Sequence, residues 1–239
     1  MPTLLLDERL EALAELSAQA CPAHGASLVA DIGADHGRLA CALLQRLPGL
    51  RMIVSDVSAD SLDKARRLLA AEGLAERAVL RVADGLAALA GERPDAVVVA
   101  GMGAKTIREI VLAGAQAIGD ARLILQPNLD APRLRAFLCA HGFPLEAERI
   151  VRAAGRSYVI LCARRGACVT LDAKACAIGP CLMAERPPGY AKYLRWRHGV
   201  ASRVLARLAD AHDGQRQGVA ARRASLLQEI CWLEEELAP

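Results

Sequence analysis

Aromatic residues are scarce in this sequence. Phe, Trp and Tyr make up only 3% of its 239 residues, and none of them occurs before Phe137. Hydrophobic residues nevertheless account for 54% of the chain, which is enough for a core built from aliphatic side chains. A planar ligand bound in the first half of the chain would have to stack on residues from later in the sequence.

Several other signals are missing. No apolar run approaches the roughly 20 residues that a membrane helix needs, and the acidic start with Asp7 and Glu8 is unlike a targeting peptide. The eight cysteines form no CxxC pair, which predicts reduced, mostly buried thiols in a cytoplasmic protein. The spacing of Cys168, Cys176 and Cys181 does not match a zinc site, so we expect no metal.

Short apolar runs alternate with helical patterns along the first part of the chain. Runs typical of buried strands cover 27–32, 52–56, 78–82, 96–100 and 121–125. Helical patterns cover 4–20, 37–47, 59–72, 85–90, 104–118 and 131–141. This alternation predicts an α/β fold, with a parallel sheet that carries helices on both faces.

The pattern changes after Gly142. Two strand-like runs, 146–152 and 157–163, are joined by a connection that is too short for a helix. They must therefore pair antiparallel. A plain dinucleotide-binding domain normally lacks such a hairpin at the end of its sheet.

A different organisation is predicted for the rest of the chain. Residues 164–189 are rich in Gly and Pro, which predicts an irregular linker. Helical patterns at about 190–211 and 217–237, with a turn between them, predict an antiparallel helical hairpin. We therefore expect two domains, 1–165 and 166–239.

The strongest chemical signal is the segment Asp31-Ile32-Gly33-Ala34-Asp35-His36-Gly37, between a predicted strand and a predicted helix. A dinucleotide site normally has GxGxxG here, whereas this chain has GxxxG with Asp31 and Asp35 on either side of Gly33. These carboxylates would repel a pyrophosphate, and they suit a ligand with a cationic amine, such as the methionyl part of S-adenosylmethionine. The alternative is an ordinary tight turn.

Carboxylates also follow the second and third predicted strands. Asp56 comes 25 residues after Asp31, where a carboxylate can accept hydrogen bonds from both ribose hydroxyls. Asp84, followed by Gly85, can accept from the exocyclic amine of an adenine. Each residue also fits a helix cap, although Ser58 is the better cap after the second strand.

The fourth and fifth predicted strands end in Gly101-Met102-Gly103 and Gln126-Pro127-Asn128. In open α/β sheets, ligands bind at the carboxyl ends of adjacent strands. The glycines allow a ligand to approach the backbone, and the amides of Gln126 and Asn128 can read an adenine edge because they both donate and accept. For Asn128 a helix cap is the alternative.

These residues resemble the bacterial tRNA adenine-22 N1-methyltransferases, and the resemblance covers nearly the whole chain. It is carried by DIGADHG (31–37), DV (56–57), ADGL (83–86), AGMGAKTI (100–107), LILQPN (123–128), GRSYVILCA (155–163) and IGP (178–180). One departure is Ala104, where the family usually has a glycine. We expect its methyl group to narrow the entrance for the target base.

The resemblance implies a Rossmann-like class I methyltransferase fold that uses S-adenosyl-L-methionine and acts on tRNA, as a monomer or weak homodimer. The resemblance and the residue types together indicate three catalytic candidates: Asp35, His36 and Asn128. The expected cofactor-binding residues are Asp31, Gly33, Asp35, Gly37, Asp56, Val57, Asp84, Gly85, Gly101 and Met102. The expected substrate-binding residues are Arg9, Gly103, Gln126, Pro127, Asn128, Tyr158, Lys192, Arg195 and Arg197.

The predicted helical hairpin is basic, which favours RNA as the substrate. Nine Lys and Arg residues lie between 186 and 223, where only Asp210 and Asp213 oppose them, and such a patch attracts an RNA backbone. Three alternatives stay open: a methyltransferase acting on a small molecule or protein, a non-catalytic RNA-binding protein, and a nicotinamide-dependent oxidoreductase. The missing GxGxxG counts against the last of these.

Overall fold

Seven strands form a mixed sheet in the computed structural model, which describes residues 4–22, 26–209 and 216–238. The strands are β1 (Ser27–Ile32), β2 (Leu50–Asp56), β3 (Ala78–Val82), β4 (Ala96–Met102), β5 (Arg122–Pro127), β6 (Leu145–Ala153) and β7 (Arg156–Ala163). Their order across the sheet is β3-β2-β1-β4-β5-β7-β6. Strands β1 to β5 run parallel, whereas β7 pairs antiparallel with both β5 and β6. The predicted α/β fold with a terminal antiparallel hairpin is confirmed.

The helices mostly follow the predicted segments. They are α1 (Glu8–Ala20), α2 (Arg38–Arg46), α3 (Ala59–Ala71), α4 (Ala104–Ala113), α5 (Ala115–Ile118), α6 (Ala131–Ala140), α7 (Ala173–Ile178), α8 (Pro180–Glu185), α9 (Tyr190–Ala209) and α10 (Arg216–Leu237). The chain forms two compact units, which meet in sequence between Thr170 and Leu171. That 1–165 binds the cofactor and 166–239 binds RNA stays a prediction.

Local hydrogen bonds explain where the first helices begin. Asp7 Oδ1 accepts from the amide of Leu10 at 2.7 Å, which caps α1. Ser58 Oγ accepts from the amide of Ser61 at 3.3 Å, so the predicted cap of α3 is confirmed. The central parallel strands, in turn, are buried on both faces: Val98 and its two neighbours in β4 are fully inaccessible, as the apolar runs predict. The prediction of a buried strand is wrong for β3, which lies at the edge of the sheet with Val79 and Val82 exposed.

One predicted helix is interrupted. The segment 104–118 divides into α4 and α5 at Gly114, because a Cβ at this glycine would lie only 2.2 Å from the Cβ of Leu86. The packing of Leu86 therefore requires a glycine, and a glycine weakens a helix. Leu86 itself lies in a 3₁₀ helix, Gly85–Leu89, where an α-helix is predicted.

The predicted irregular linker is wrong, because residues 164–189 contain α7 and α8. Asp172 Oδ1 accepts from the amide of Ala175 at 2.7 Å and starts α7, while Pro180 is the first residue of α8. Proline fits the first turn of a helix, where its missing N–H needs no partner. Gly179 and Pro180 thus separate two short helices and do not exclude them.

Helices α9 and α10 pair antiparallel within the second unit, as predicted. Tyr190 Oη donates to Glu236 Oε2 at 3.2 Å, and Arg197 Nη2 donates to Glu229 Oε1 at 2.5 Å. Residues later in α9 therefore contact residues earlier in α10. The turn predicted between the two helices lies in 210–215, outside the described residues.

The cysteines are less buried than predicted. Only Cys41, Cys139 and Cys162 are buried, and Cys168 and Cys231 are exposed. Across the described ranges, His, Cys, Asp and Glu form no group of three that could hold a metal ion. In the same part of the chain, no helix combines the length and apolarity that crossing a membrane requires.

A buried ion pair went unpredicted. Arg135 Nε of α6 donates to Glu148 Oε1 of β6 at 2.6 Å, and neither side chain is accessible to solvent. A buried charge needs such a partner. The pair fastens α6, which follows the end of β5, to the antiparallel end of the sheet.

Candidate active site

The turn after β1 is fastened to the end of β2 through its backbone. The amides of Gly33 and Ala34 both donate to the carbonyl oxygen of Ser55, at 2.8 and 2.9 Å. Gly33 has φ +73°, a conformation that glycine adopts readily and other residues do not. The turn is therefore held in place by bonds that leave its outer surface open.

Asp35 combines a fixed backbone with an accessible carboxylate. Its φ of +47° costs a non-glycine residue roughly 1–2 kcal/mol, and its amide donates to Asp56 Oδ2 at 3.1 Å. Its side chain is 68% exposed and accepts a hydrogen bond from Ser61 Oγ at 3.5 Å. Strained backbone of this kind is common at functional sites.

His36 joins Asp35 to a lysine of α3. Its Nδ1 lies 3.4 Å from Asp35 Oδ2, and its Nε2 lies 3.1 Å from Lys64 Nζ. His36 thus links the carboxylate of Asp35 to α3.

Gly37 permits a close contact between the turn and α3. A Cβ at Gly37, where φ is +68°, would lie 2.7 Å from the Cβ of Ala65. Ala65 is fully buried and has no flexible atoms that could move aside. The second glycine of the motif is therefore needed for packing, which is the structural reason for GxxxG in this chain.

Two cavities open beside this turn, at the carboxyl edge of the parallel strands. The larger has a volume of about 940 Å³, and the smaller about 370 Å³. The residues lining the larger cavity include Asp56, Val57, Asp84 and Gly85. Those lining the smaller include Arg9, Asp31, Asp35, His36 and Gly101. Gly33, Asp56 and Met102 line both.

The side chain of Met102 lies against Gly33, where the two cavities adjoin. A Cβ at Gly33 would lie 2.1 Å from Met102 Cε, so a larger residue at this position would require the side chain of Met102 to move. Methionine is flexible and adapts to its surroundings. Met102 is thus a movable side chain at a position that both cavities share.

Asp31 is a buried carboxyl group whose pKa is far from its usual range. Only 5% of the residue is exposed. Burial is the largest cause that raises its pKa to about 7, the nearby carboxylate of Asp56 raises it further, and Arg9 opposes both. A cationic ligand group at this position would favour the ionised form.

Asp56 and Asp84 are placed differently from each other. The Oδ1 atom of Asp56 accepts from the amide of Ser58 at 2.9 Å, so this carboxylate holds the surrounding loops in place. Asp84 precedes a 3₁₀ helix, but its side chain makes no capping hydrogen bond. Asp84 therefore occupies the N-cap position without capping the helix through its carboxylate, which is exposed in the larger cavity.

Gln126 lies at the centre of a buried hydrogen-bond network. Its Oε1 accepts from Arg9 Nη1 at 2.9 Å and from the amide of Gly101 at 3.1 Å. Its Nε2 donates to Asn128 Oδ1 at 3.1 Å, and the residue is fully inaccessible to solvent. Its amide is thus engaged within the protein, which favours a supporting role over direct contact with a base.

Asn128 connects the ends of β4 and β5. Its side-chain Nδ2 donates to the carbonyl oxygen of Gly101 at 2.6 Å. Its backbone amide donates to the carbonyl oxygen of Met102 at 2.7 Å. The residue before α6 is Asp130, so the helix-cap alternative for Asn128 is wrong. Asn128 is exposed, so a ligand can reach it.

Comparison with known proteins identifies the family. A family model described as tRNA (adenine(22)-N(1))-methyltransferase matches residues 29–234. The chain belongs to this family. The curated Bacillus subtilis protein of that name is 32% identical over 167 residues, which cover 70% of this chain and 68% of the relative.

Solved structures agree with this assignment. The crystal structure of the B. subtilis m1A22 tRNA methyltransferase covers 98% of this chain and 100% of its own, with 26% identity and a TM-score of 0.81. A Streptococcus pneumoniae protein solved in complex with S-adenosyl-L-methionine covers the same shares, with 28% identity and a TM-score of 0.79. The methyltransferase fold thus extends over nearly the whole chain.

Four further residues of this methyltransferase differ in their exposure to solvent. Ala104 is only 2% exposed, so its methyl group packs inside the protein and the predicted narrowing of the entrance is wrong. Tyr158 is half-buried in the hairpin opposite Val151. Pro127 is buried at the end of β5, whereas Gly103 is exposed directly before α4.

The second unit of the methyltransferase carries fewer free cations than its sequence suggests. Arg197 pairs with Glu229, and Arg186 pairs with Glu236. The glutamates of α10 therefore neutralise part of the basic patch. The exposed cations that join no ion pair in the described part of this unit are Lys192, Arg195, Arg203, Arg207, Arg222 and Arg223.

Some residues of the site were missed. Ser61 and Lys64 both contact the turn after β1, and they are three residues apart on one face of α3. That spacing is a usable signal once the start of α3 is known. The role of the Ser55 carbonyl oxygen could not be predicted, because a backbone group has no sequence signature.

We predict that Gly37→Ala destabilises the methyltransferase much more than Gly73→Ala. Both glycines have φ near +70°, but nothing lies within 4 Å of a Cβ at Gly73. Backbone strain alone costs about 1–2 kcal/mol, and the clash with Ala65 adds about 1–3 kcal/mol. Denaturant unfolding measures both. Equal losses would contradict the close-packing role, and Ala65→Gly is expected to restore part of the stability of Gly37→Ala.

Proposed function

We propose that this methyltransferase transfers a methyl group from S-adenosyl-L-methionine to N1 of an adenine in tRNA, at position 22. The acidic glycine turn after β1 carries the proposal. Buried Asp31 and exposed Asp35 flank Gly33 beside two adjoining cavities. Membership of the tRNA (adenine(22)-N(1))-methyltransferase family supports the same reaction.

The residues around the turn fit S-adenosyl-L-methionine. The buried carboxyl group of Asp31 is suited to the cationic amine, because an opposite charge stabilises its ionised form. Asp56 and Val57 are proposed to bind the ribose, and Asp84 and Gly85 the adenine of the cofactor. When bound, the cofactor supplies an electrophilic methyl group attached to a sulfonium.

The protein has to position the target base and to stabilise charge. Adenine N1 has a free lone pair at neutral pH, so no general base is required, and alignment with exclusion of water provides much of the acceleration. Positive charge develops on the ring during transfer. We assign its stabilisation to the carboxylate of Asp35, which His36 and Lys64 hold in place.

The ends of β4 and β5 are proposed to receive the target adenine. Asn128 is exposed and has one amide hydrogen beyond the one it donates to Gly101, so it can bind a base edge. Buried Gln126 positions Asn128 and Arg9. Gly103, which is exposed, leaves room for the base.

The second unit is proposed to bind the tRNA backbone. Lys192 and Arg195 are exposed cations on α9, and binding through such groups weakens as salt rises. Arg197 is engaged with Glu229, so we give it a lesser part than the sequence suggested. We further propose that the protein acts in the cytoplasm, as a monomer or weak homodimer.

Analysis of methylated nucleosides tests the function. Unmodified tRNA incubated with the protein and S-adenosyl-L-methionine should yield 1-methyladenosine on digestion and mass spectrometry. A transcript with guanine at position 22 should yield none. A different methylated nucleoside would overturn the assignment to N1, and methylation of the altered transcript would overturn the position. Methylation of small molecules alone would favour the alternative substrate class.

We predict that Asp35→Asn lowers kcat by about 10²–10³-fold, the usual effect of losing one electrostatic stabiliser. Asparagine tolerates the left-handed backbone of Asp35, so the fold and the affinity for the cofactor should persist. Single-turnover methylation and calorimetry measure the two effects. Asp120→Asn, in the turn before β5 at the opposite edge of the sheet, is the control. Loss of cofactor binding would instead assign Asp35 to the cofactor site.

We predict that affinity for S-adenosyl-L-methionine increases as pH rises towards 7. Asp31 has a pKa of about 7 without ligand, and binding of a cationic amine requires its ionised form. Below that value the affinity should gain about tenfold per pH unit, and it should fall again once the amine itself loses its proton near pH 8. Calorimetry over this range measures the profile.

Two variants distinguish Asp31 from other carboxylates in this titration. Asp31→Asn should bind the cofactor weakly and lose the rising part of the profile. Asp84→Asn should keep that rise, because Asp84 is exposed. A flat profile for the unmodified protein between about pH 5.5 and 7 would contradict the proposed pairing.

A further inference from the structure

An exposed leucine stands at the carboxyl end of β5, directly after Asn128. Leu129 is 76% exposed, although a buried leucine contributes about 1.5–3 kcal/mol to folding. Single exposed apolar residues are common on protein surfaces, so exposure alone assigns no role to Leu129. Its backbone and its neighbours supply the further observations.

The backbone on both sides of Leu129 is fixed. Its carbonyl oxygen accepts from the amide of Ala104 at 3.3 Å, and the amide of Asn128 donates to Met102 at 2.7 Å. The next residue, Asp130, has φ +64°, and its Oδ2 lies 3.4 Å from Arg133 Nη1. An apolar side chain is thus presented to solvent from a rigid loop, which is the arrangement that a preorganised binding surface requires.

The neighbours of Leu129 are the residues proposed to receive the target adenine. Asn128 contacts Gly101, and Gly101 lines the smaller cavity together with Asp35 and His36. Leu129 is therefore adjacent in sequence to Asn128. Asn128 is in turn joined by one hydrogen bond to Gly101, which lines the cavity that contains Asp35.

Aromatic side chains of the first unit are poorly placed to hold a base at this edge. Phe137 and Phe143 are buried, and Tyr158 is half-buried in the hairpin. An adenine taken out of an RNA structure loses its stacking partners, so an apolar surface has to replace them.

We infer that Leu129 provides the apolar surface on which the face of the target adenine packs. The inference rests on the proposed function and adds to it a positioning residue for the substrate. Asn128 binds the edge of the base while Leu129 covers its face. An aliphatic side chain thus takes the role that RNA-binding proteins commonly give to an aromatic ring.

Leu129→Ala should lower kcat/KM for tRNA about tenfold, within the range seen when a stacking partner of a base is removed. Leu129→Phe should retain or exceed the original value, because a phenyl ring offers a larger surface. Cofactor affinity and Tm should stay unchanged, since the side chain is exposed. Val169→Ala removes another exposed apolar side chain, in a segment bonded to Cys139 at the far end of α6, and should have no effect.

A fluorescent base tests the contact without relying on turnover. The fluorescence of 2-aminopurine at position 22 of the tRNA rises when the base leaves its stack. The original protein and Leu129→Phe should bind such a tRNA with a change in fluorescence, and Leu129→Ala should bind it with a smaller one. The inference would be overturned if Leu129→Ala kept kcat/KM within about twofold of the original value and also gave the full change in fluorescence.

The same experiments keep the two proposals separate. If the original protein does not methylate tRNA, the proposed function fails. If it methylates adenine at position 22 and Leu129→Ala does so equally well, the function stands and the role of Leu129 is refuted. A loss of cofactor affinity in Leu129→Ala would also refute that role, because the defect would then lie outside the base contact.

Discussion

The site depends on the attachment of the turn after β1 to the end of β2. The carbonyl oxygen of Ser55 accepts from Gly33 and Ala34, and the carboxylate of Asp56 accepts from Asp35. These bonds hold Asp35 in a conformation that it would not adopt alone. They also place the carboxyl groups of Asp31 and Asp35 on the two sides of one glycine.

Charge is distributed in a way that suits two partners of opposite sign. Acidic side chains surround the turn, and the pKa of Asp31 near 7 records how strongly burial and Asp56 disfavour another negative charge there. A cation is therefore suited to the inside of the site. The exposed cations of the second unit, such as Lys192 and Arg195, suit the polyanionic backbone of an RNA.

Most of the fold could be predicted because the sequence signals are local. Apolar runs produced the strands, and capping residues such as Ser58 marked helix starts. The errors come from contacts distant in sequence. Leu86 requires the break at Gly114, and the Arg135–Glu148 pair joins a helix to a strand.

The candidate site was predicted as a set of residues but not as an arrangement. Strand ends were enough to find Asp31, Asp56 and Asp84, because parallel strands bring their carboxyl ends to one edge. That Gln126 is buried and Asn128 exposed could not be inferred, since the two residues are only two positions apart at the end of β5. Both belong to the same hydrogen-bond network, but only Asn128 remains open to solvent.

The sequence by itself determined the alternation of strands and helices, the acidic glycine turn and the family, because each rests on residue types at short, fixed spacings. Tertiary structure decided which charges remain free and which apolar side chains stay exposed. Arg197 is neutralised by a glutamate 32 positions away, and Leu129 is exposed although its backbone carbonyl accepts a hydrogen bond from the first residue of α4. Such outcomes depend on distances in space, which a linear pattern does not contain.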